Sequence, residues 1–136
     1  MYHGFSDSGV TPLGSIAYRQ AVIDFLDDQM GGRRRDEGRD RGPGRHESPG
    51  ERLTDGFLRL FMVPGMGHCG GGVGHSQVDW MTPLQLWVEK GVAPKAIIGA
   101  KPGTTSTRPH CPYPQEAVYQ GGDPNVAASF ACREVD

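Results

Sequence analysis

A short apolar run ends abruptly in a glycine-rich loop, and this junction constrains the fold more than any other part of the chain. The run covers residues 58–63 and lies between Gly56 and Pro64. Its length and its flanking turn residues are typical of a buried strand. The loop that follows carries His68 and Cys69 side by side among glycines. We therefore expect a buried strand that presents a histidine on the loop at its carboxyl end.

A histidine in this place suits acid–base chemistry, because an imidazole can take and return a proton near neutral pH. In open α/β sheets, functional groups gather at the carboxyl ends of the strands. The competing interpretation is a loop histidine that is simply solvated or bonded to backbone, and position alone favours it.

The chain also begins with the pattern of a strand end. Residues 1–4 predict a short strand, and Gly4 starts a turn that carries Asp7. Serines and a glycine surround Asp7, so local pattern alone makes it an ordinary turn residue. If the two predicted strands are adjacent, however, Asp7 and His68 meet at one edge of the sheet.

A helix is predicted after this turn. It starts at Thr11 and Pro12 or, equally well, has Ser15 as its cap, and it ends at residues 30–32. Its apolar side chains recur at helical spacing, and we expect this stripe to face the core. The stripe consists of Ile16, Ala17, Ala21, Val22, Phe25 and Leu26.

The composition changes over residues 33–52 to Arg, Asp, Glu, Gly and Pro, without a large apolar side chain. Such a run cannot bury enough surface to offset the entropy of ordering it, so we predict a disordered, charged insertion. The alternative is an RNA-binding arm, because arginines cluster at residues 33–35. Interleaved acidic residues and the lack of aromatic side chains favour the first interpretation. The remaining segments are residues 1–32 and residues 53–136.

Helix and strand signals return after the histidine loop. Pro83 lies in the first turn of a predicted helix that closes at Lys90 and Gly91. Residues 96–100 predict a short strand, and residues 102–124 predict an extended, turn-rich tail. The tryptophans of this region, Trp80 and Trp87, are interpreted as core or wall residues and not as a cofactor motif.

The chain has three cysteines, an odd number. A bond between Cys111 and Cys132 would close about 20 residues and stabilise the tail by about 3 kcal/mol in the chain-entropy account. Cys69 would then be left over, which indicates a partner elsewhere or a free thiol.

Other uses of the histidine loop are less well supported. A zinc site could combine His68, Cys69 and His75 with Cys111, but adjacent histidine and cysteine are poorly spaced for a tetrahedral ion. A phosphate-binding loop would need a Gly-Lys-Ser/Thr sequence, which does not follow the glycines. We interpret the glycines as residues that let the backbone turn sharply beside His68.

Charge and hydrophobicity exclude several classes of partner. A net charge of −2 gives no reason to expect nucleic acid or a membrane surface. No apolar stretch approaches the roughly 18 residues of a membrane helix. No signal-peptide pattern opens the chain, an observation without weight if further residues precede it.

Several stretches resemble the tannase and feruloyl esterase family, a branch of the α/β-hydrolases. Residues 61–72 are similar to the histidine loop of the family. Residues 2–7 resemble its aspartate loop, where Trp is more usual at the place of Phe5. The other matches are to the helix after the histidine and to the C-terminal tail, at residues 79–91, 107–115 and 127–132.

The resemblance implies an α/β fold, namely the last strands and helices of an α/β-hydrolase with a disulfide-stapled tail. Residues 1–32 and 53–136 would then belong to the same domain. The family order of serine, aspartate and histidine puts the nucleophile upstream of this chain. Asp7 would orient His68, His68 would be the general base, and Cys69 would pair with a cysteine beside the absent serine. Ser6 and Ser8 remain loop serines.

The implied activity is hydrolysis of small aromatic-acid esters through a Ser-His-Asp triad, and the chain alone would be inactive. The implied parent protein is secreted or periplasmic, because disulfides form in oxidising compartments. It needs no cofactor, and any calcium site would belong to an absent lid region. Relatives of the family act on gallate, ferulate and terephthalate esters, so the resemblance does not select the substrate. The competing class is a non-catalytic truncated product, or a small disulfide or metal-binding interaction module.

Overall fold

The computed structural model describes residues 1–31 and 47–135. The helices are α1 (Pro12–Gln29), α2 (Pro49–Asp55) and α3 (Met81–Lys90), followed late in the chain by a 3₁₀ turn at Ala127–Ser129. The strands are β1 (Tyr2–Gly4), β2 (Phe61–Val63), β3 (Gln77–Val78), β4 (Ile97–Ala100), β5 (Thr107–His110), β6 (Glu116–Tyr119) and β7 (Phe130–Arg133).

Strands β1 and β2 pair in parallel, with Tyr2 opposite Phe61 and Gly4 opposite Val63. All of β2 is buried, together with Leu60 before it. Both predicted strands and their adjacency are therefore confirmed, although β2 is shorter than the apolar run. Because the strands are parallel, the loops that follow them leave the sheet at the same edge.

Helix α1 begins at Pro12, with Thr11 as the preceding residue. Thr11 makes no capping hydrogen bond through its side chain. Proline is well suited to the first helical position, because its missing N–H would have no partner there in any case. Of the two predicted starts, the one at Thr11 and Pro12 is confirmed. The hydroxyl of Ser15 instead lies 2.7 Å from Nδ1 of His3.

The prediction that the apolar stripe of α1 faces the core is wrong. The buried residues of α1 are Arg19 and Ile23, whereas Phe25 is 62% exposed. The reason is α2, which packs against a different face of α1: Nη2 of Arg19 donates to Asp55 at 2.8 Å and lies 3.7 Å from Glu51. Among the described residues, nothing covers the side of α1 that presents Phe25.

The predicted boundary of the charged insertion is also wrong. Residues 33–46 lie outside the described residues, together with the arginine cluster considered as an RNA-binding arm. Residues Pro49–Asp55, however, form α2, and Ser48 caps this helix by accepting the N–H of Glu51 at 3.1 Å. Gly50 and Thr54 are buried. A serine followed three residues later by glutamate is a capping signal that the highly charged composition obscured.

The remainder of the chain forms two small antiparallel sheets, β3-β4-β5 and β6-β7. Strand β4 confirms the strand predicted at residues 96–100. Helix α3 closes as predicted, with Gly91 in the left-handed conformation at φ 68°. The disulfide between Cys111 and Cys132, whose Cα atoms are 5.5 Å apart, confirms that pairing and joins the end of β5 to β7.

The tail is tied to the parallel pair at its centre. The N–H of Tyr113 donates to the carbonyl of Leu60 at 2.7 Å, just before β2. Trp80, just before α3, also contacts this pair by stacking on Tyr2 of β1 with ring centroids 4.3 Å apart. The tail thus supports the two strands whose ends carry the predicted functional residues.

No described helix is both long and apolar enough to cross a membrane.

Candidate active site

The loops after β1 and β2 bring Asp7 and His68 into contact. The N–H of Phe5 donates to Val63 at 3.0 Å, and that of Ser6 donates to Met66 at 3.0 Å, so the two loops are joined through their backbones. At their tips, Nδ1 of His68 lies 2.7 Å from Oδ2 of Asp7. This juxtaposition of residues 61 positions apart was expected if the strands were adjacent.

The Asp7 carboxylate is held as an anion. Its side chain is only 2% exposed. Oδ1 accepts the N–H groups of Gly9 at 2.8 Å and Val10 at 3.0 Å. The N–H of Val10, the hydrogen bond from His68 and the N–H of Gly9 hold the pKa of Asp7 well below its usual value. The carboxylate therefore only accepts hydrogen bonds.

This charge state determines the tautomer of His68. Since Oδ2 of Asp7 can only accept, Nδ1 of His68 carries the proton that bridges them. In the neutral ring Nε2 then has a free lone pair. The His68 side chain is 62% exposed, and among the described residues His68 forms no side-chain hydrogen bond other than the one to Asp7. The pair can accept a proton from a group presented on the open side of the ring.

The histidine loop is a tight turn, as its glycines predict. Gly65 and Gly72 have φ angles of 70° and 85°, and a Cβ on Gly72 would meet the carbonyl oxygen of Gly65. The N–H of Gly74 closes the turn by donating to Gly65 at 3.0 Å. Cys69 is exposed and has a φ of 59°, a left-handed conformation that is uncommon for residues other than glycine.

The residues considered for zinc do not come together. Cys111 is bonded to Cys132. Nε2 of His75 lies 3.0 Å from the hydroxyl of Ser106, and the carbonyl of His75 accepts a hydrogen bond from His110. Across residues 1–31 and 47–135, no group of three or more potential ligands is arranged to hold a metal ion. The geometry gives the zinc alternative no support.

One further residue, His3, lies at the site although its sequence context predicts no role for it. Nε2 of His3 lies 3.2 Å from Oδ2 of Asp7, the same oxygen that His68 engages. His3 belongs to β1, and its ring reaches Asp7 in the turn that follows the strand. The signal that could have found it is a histidine four residues before Asp7, in the strand that leads into the aspartate loop.

The fold is that of an esterase-type α/β-hydrolase. Crystallised feruloyl esterase B from Aspergillus oryzae superposes with a TM-score of 0.70 at 28% identity, over 97% of this chain and 26% of that one. A sequence profile described as tannase and feruloyl esterase matches residues 1–133. The chain belongs to the tannase and feruloyl esterase family.

Two curated relatives agree with this assignment. The chain is 40% identical to a mono(2-hydroxyethyl) terephthalate hydrolase of Piscinibacter sakaiensis, over 97% of this chain and 19% of that protein. It is 38% identical to a probable feruloyl esterase of Arthroderma benhamiae, over 96% of this chain and 22% of that protein. The chain thus spans about a fifth of the length of these relatives.

Proposed function

We propose that this chain supplies the general base, His68, and the orienting carboxylate, Asp7, of a serine esterase that hydrolyses small esters of aromatic acids. The nucleophilic serine would lie on a part of the protein outside these 136 residues. The observation that carries the proposal is the 2.7 Å contact between His68 Nδ1 and a buried, anionic Asp7, with the other ring nitrogen on the open side. The names of the relatives, a terephthalate-ester hydrolase and a feruloyl esterase, support the substrate class.

The geometry suits acyl transfer. A serine hydroxyl delivered to Nε2 of His68 would lose its proton as its oxygen attacks the ester carbonyl. The imidazolium that forms is stabilised by Asp7, and it returns the proton to the departing alcohol. Water then enters by the same route and releases the acid from the acyl-enzyme. Every step is a proton transfer or an attack at a carbonyl, so the proposed reaction requires no cofactor.

The first prediction compares the esterase activity of the isolated chain with that of the protein encoded by its complete reading frame. The complete protein should release ferulate from methyl ferulate or terephthalate from its hydroxyethyl monoester, whereas the isolated chain should show no rate above buffer. The reason is that no serine hydroxyl in the described residues forms a hydrogen bond with His68. The acid products can be measured by chromatography.

Two results would count against the proposal. One is a complete protein without esterase activity on either substrate, which would favour a non-catalytic interaction module. The other is a burst of product from the isolated chain with acylation of Ser6 or Ser8, detected by mass spectrometry. That result would place the nucleophile inside the chain.

The second prediction concerns Cys69. The disulfide between Cys111 and Cys132 points to an oxidising compartment, so we propose a secreted or periplasmic protein. In the complete protein, Cys69 should be linked to a cysteine beside the nucleophile and hold the histidine loop against it. In the isolated chain, Cys69 should stay free or form intermolecular dimers. Non-reducing peptide mapping checks both, and a dominant link from Cys69 to Cys111 or Cys132 would contradict the assignment.

A further inference from the structure

We propose that His3 is a positioning residue that fixes the Asp7 carboxylate for His68. This proposal rests on the proposed function and adds a member to the same site. The ring of His3 spans the gap between the aspartate loop and α1: Nε2 lies 3.2 Å from Oδ2 of Asp7, and Nδ1 lies 2.7 Å from the hydroxyl of Ser15. The His3 side chain is 13% exposed, so water competes weakly for these bonds.

The neighbours of His3 determine which of its ring nitrogens carries the proton. Nε2 faces two oxygens that only accept, the Asp7 carboxylate and, also at 3.2 Å, the carbonyl of Val10. Nε2 must therefore carry a proton, which the two oxygens share. In the neutral ring, Nδ1 then accepts the hydroxyl proton of Ser15. Each ring nitrogen of His3 thus has a defined role, and the tautomer is the opposite of that of His68.

His3 completes the set of donors around Asp7. Oδ1 accepts the N–H groups of Gly9 and Val10, and Oδ2 accepts ring N–H groups from His68 and His3. Four donors fill the acceptor positions that a carboxylate offers. Without His3, Oδ2 would be held only by His68, the residue that Asp7 has to orient. His3 supplies an anchor that does not depend on His68, and Ser15 ties this anchor to α1.

The first experiment uses the 136-residue chain and detects ring protons by long-range ¹H–¹⁵N NMR. His3 should show a proton on Nε2, and His68 should show one on Nδ1. In His3→Phe, the Nδ1 proton of His68 should exchange with water about tenfold faster, because Asp7 is released. The ring proton of His110, which donates to His75 at 2.8 Å, is the internal control and should not change.

A pair of substitutions tests the roles of the two ring nitrogens of His3 separately. Gln places its amide where Nε2 of His3 lies and can still donate to Asp7, whereas Asn reproduces the Nδ1 end and can reach Ser15 but not Asp7. In the protein encoded by the complete reading frame, His3→Asn should lower kcat by about 10- to 100-fold with KM within about twofold. His3→Gln should restore most of this loss. A residue with a merely structural role would show equal effects for both substitutions.

The outcomes distinguish failure of this proposal from failure of the proposed function. A proton on Nδ1 of His3 in the unmodified chain, or unchanged His68 exchange in a folded His3→Phe variant, would overturn the role of His3 alone. If His3→Phe does not fold, the tautomer of the unmodified chain and the Gln and Asn pair still decide. Full activity of a His68→Ala variant would overturn the proposed function, while the ring-proton results would stand.

Discussion

Replacing His68 or Asp7 with Ala in the complete protein is expected to lower kcat by about three to six orders of magnitude, with KM largely retained. His68→Ala removes the group that accepts the serine proton in the proposed mechanism. Asp7→Ala leaves His68 without the carboxylate that fixes its tautomer and stabilises the imidazolium. Steady-state kinetics with methyl ferulate would measure both effects.

The double variant tests whether the two residues act as a unit. Replacing both should cost little more than the worse single change, because each residue is useful only through the other. If the fold losses in kcat of the two single variants multiply in the double variant, the residues act independently, and this result would contradict the triad.

His75→Ala is the matched control, a second histidine of the same loop region. Its ring bonds to Ser106, 3.0 Å away, and the carbonyl that it offers to His110 is backbone and survives the substitution. We expect activity within about threefold of the unmodified protein. An essential His75 with a dispensable His68, or activity that requires zinc and is lost with a chelator, would exclude the proposed mechanism.

The contact between Asp7 and His68 was predictable on the condition that the two predicted strands are adjacent. Both strands are bounded by glycine or proline, and parallel neighbours release their loops at one edge of a sheet. The strand and turn signals therefore placed Asp7 and His68 at one edge once the strands were taken as adjacent, and the family resemblance indicated that the two residues act together. The tail disulfide was predicted from the loop of about 20 residues that Cys111 and Cys132 enclose, which leaves Cys69 over.

The face that α1 buries was not predictable, because helical periodicity shows which residues share a face but not which neighbour covers it. Arg19 is buried because Glu51 and Asp55 on α2 pair with it, and α2 begins inside a run whose composition indicated disorder. The role of His3 was missed for a similar reason. It depends on Ser15, which is brought near by the fold and was considered only as a helix cap.

Gly4→Ala is expected to disrupt the site severely, because a Cβ at Gly4 would collide with the histidine loop that faces it. A Cβ at Gly4 would lie 2.5 Å from the carbonyl oxygen of Gly67 and closer still to that of Met66. Both atoms are backbone, so the aspartate and histidine loops would have to move apart. We expect the free energy of unfolding to fall by about 3 kcal/mol or more, as measured by urea denaturation. In the complete protein, a displacement of about 1 Å between the loops would also lower kcat by about 100-fold.

Substitutions at two glycines of the histidine loop distinguish the effect of steric crowding from that of backbone strain. Gly70 has open space around the position of a Cβ and no positive φ, so Gly70→Ala should change the free energy of unfolding by less than about 0.5 kcal/mol. Gly71 has equally open space but a φ of 66°, and its replacement by Ala should cost about 1 kcal/mol through strain alone. Gly4 has the opposite combination, an ordinary φ and no space. If Gly4→Ala lowers the free energy of unfolding no more than Gly71→Ala does, the two loops do not approach as closely as described. The close backbone approach at Gly4 would then not be what holds Asp7 and His68 together.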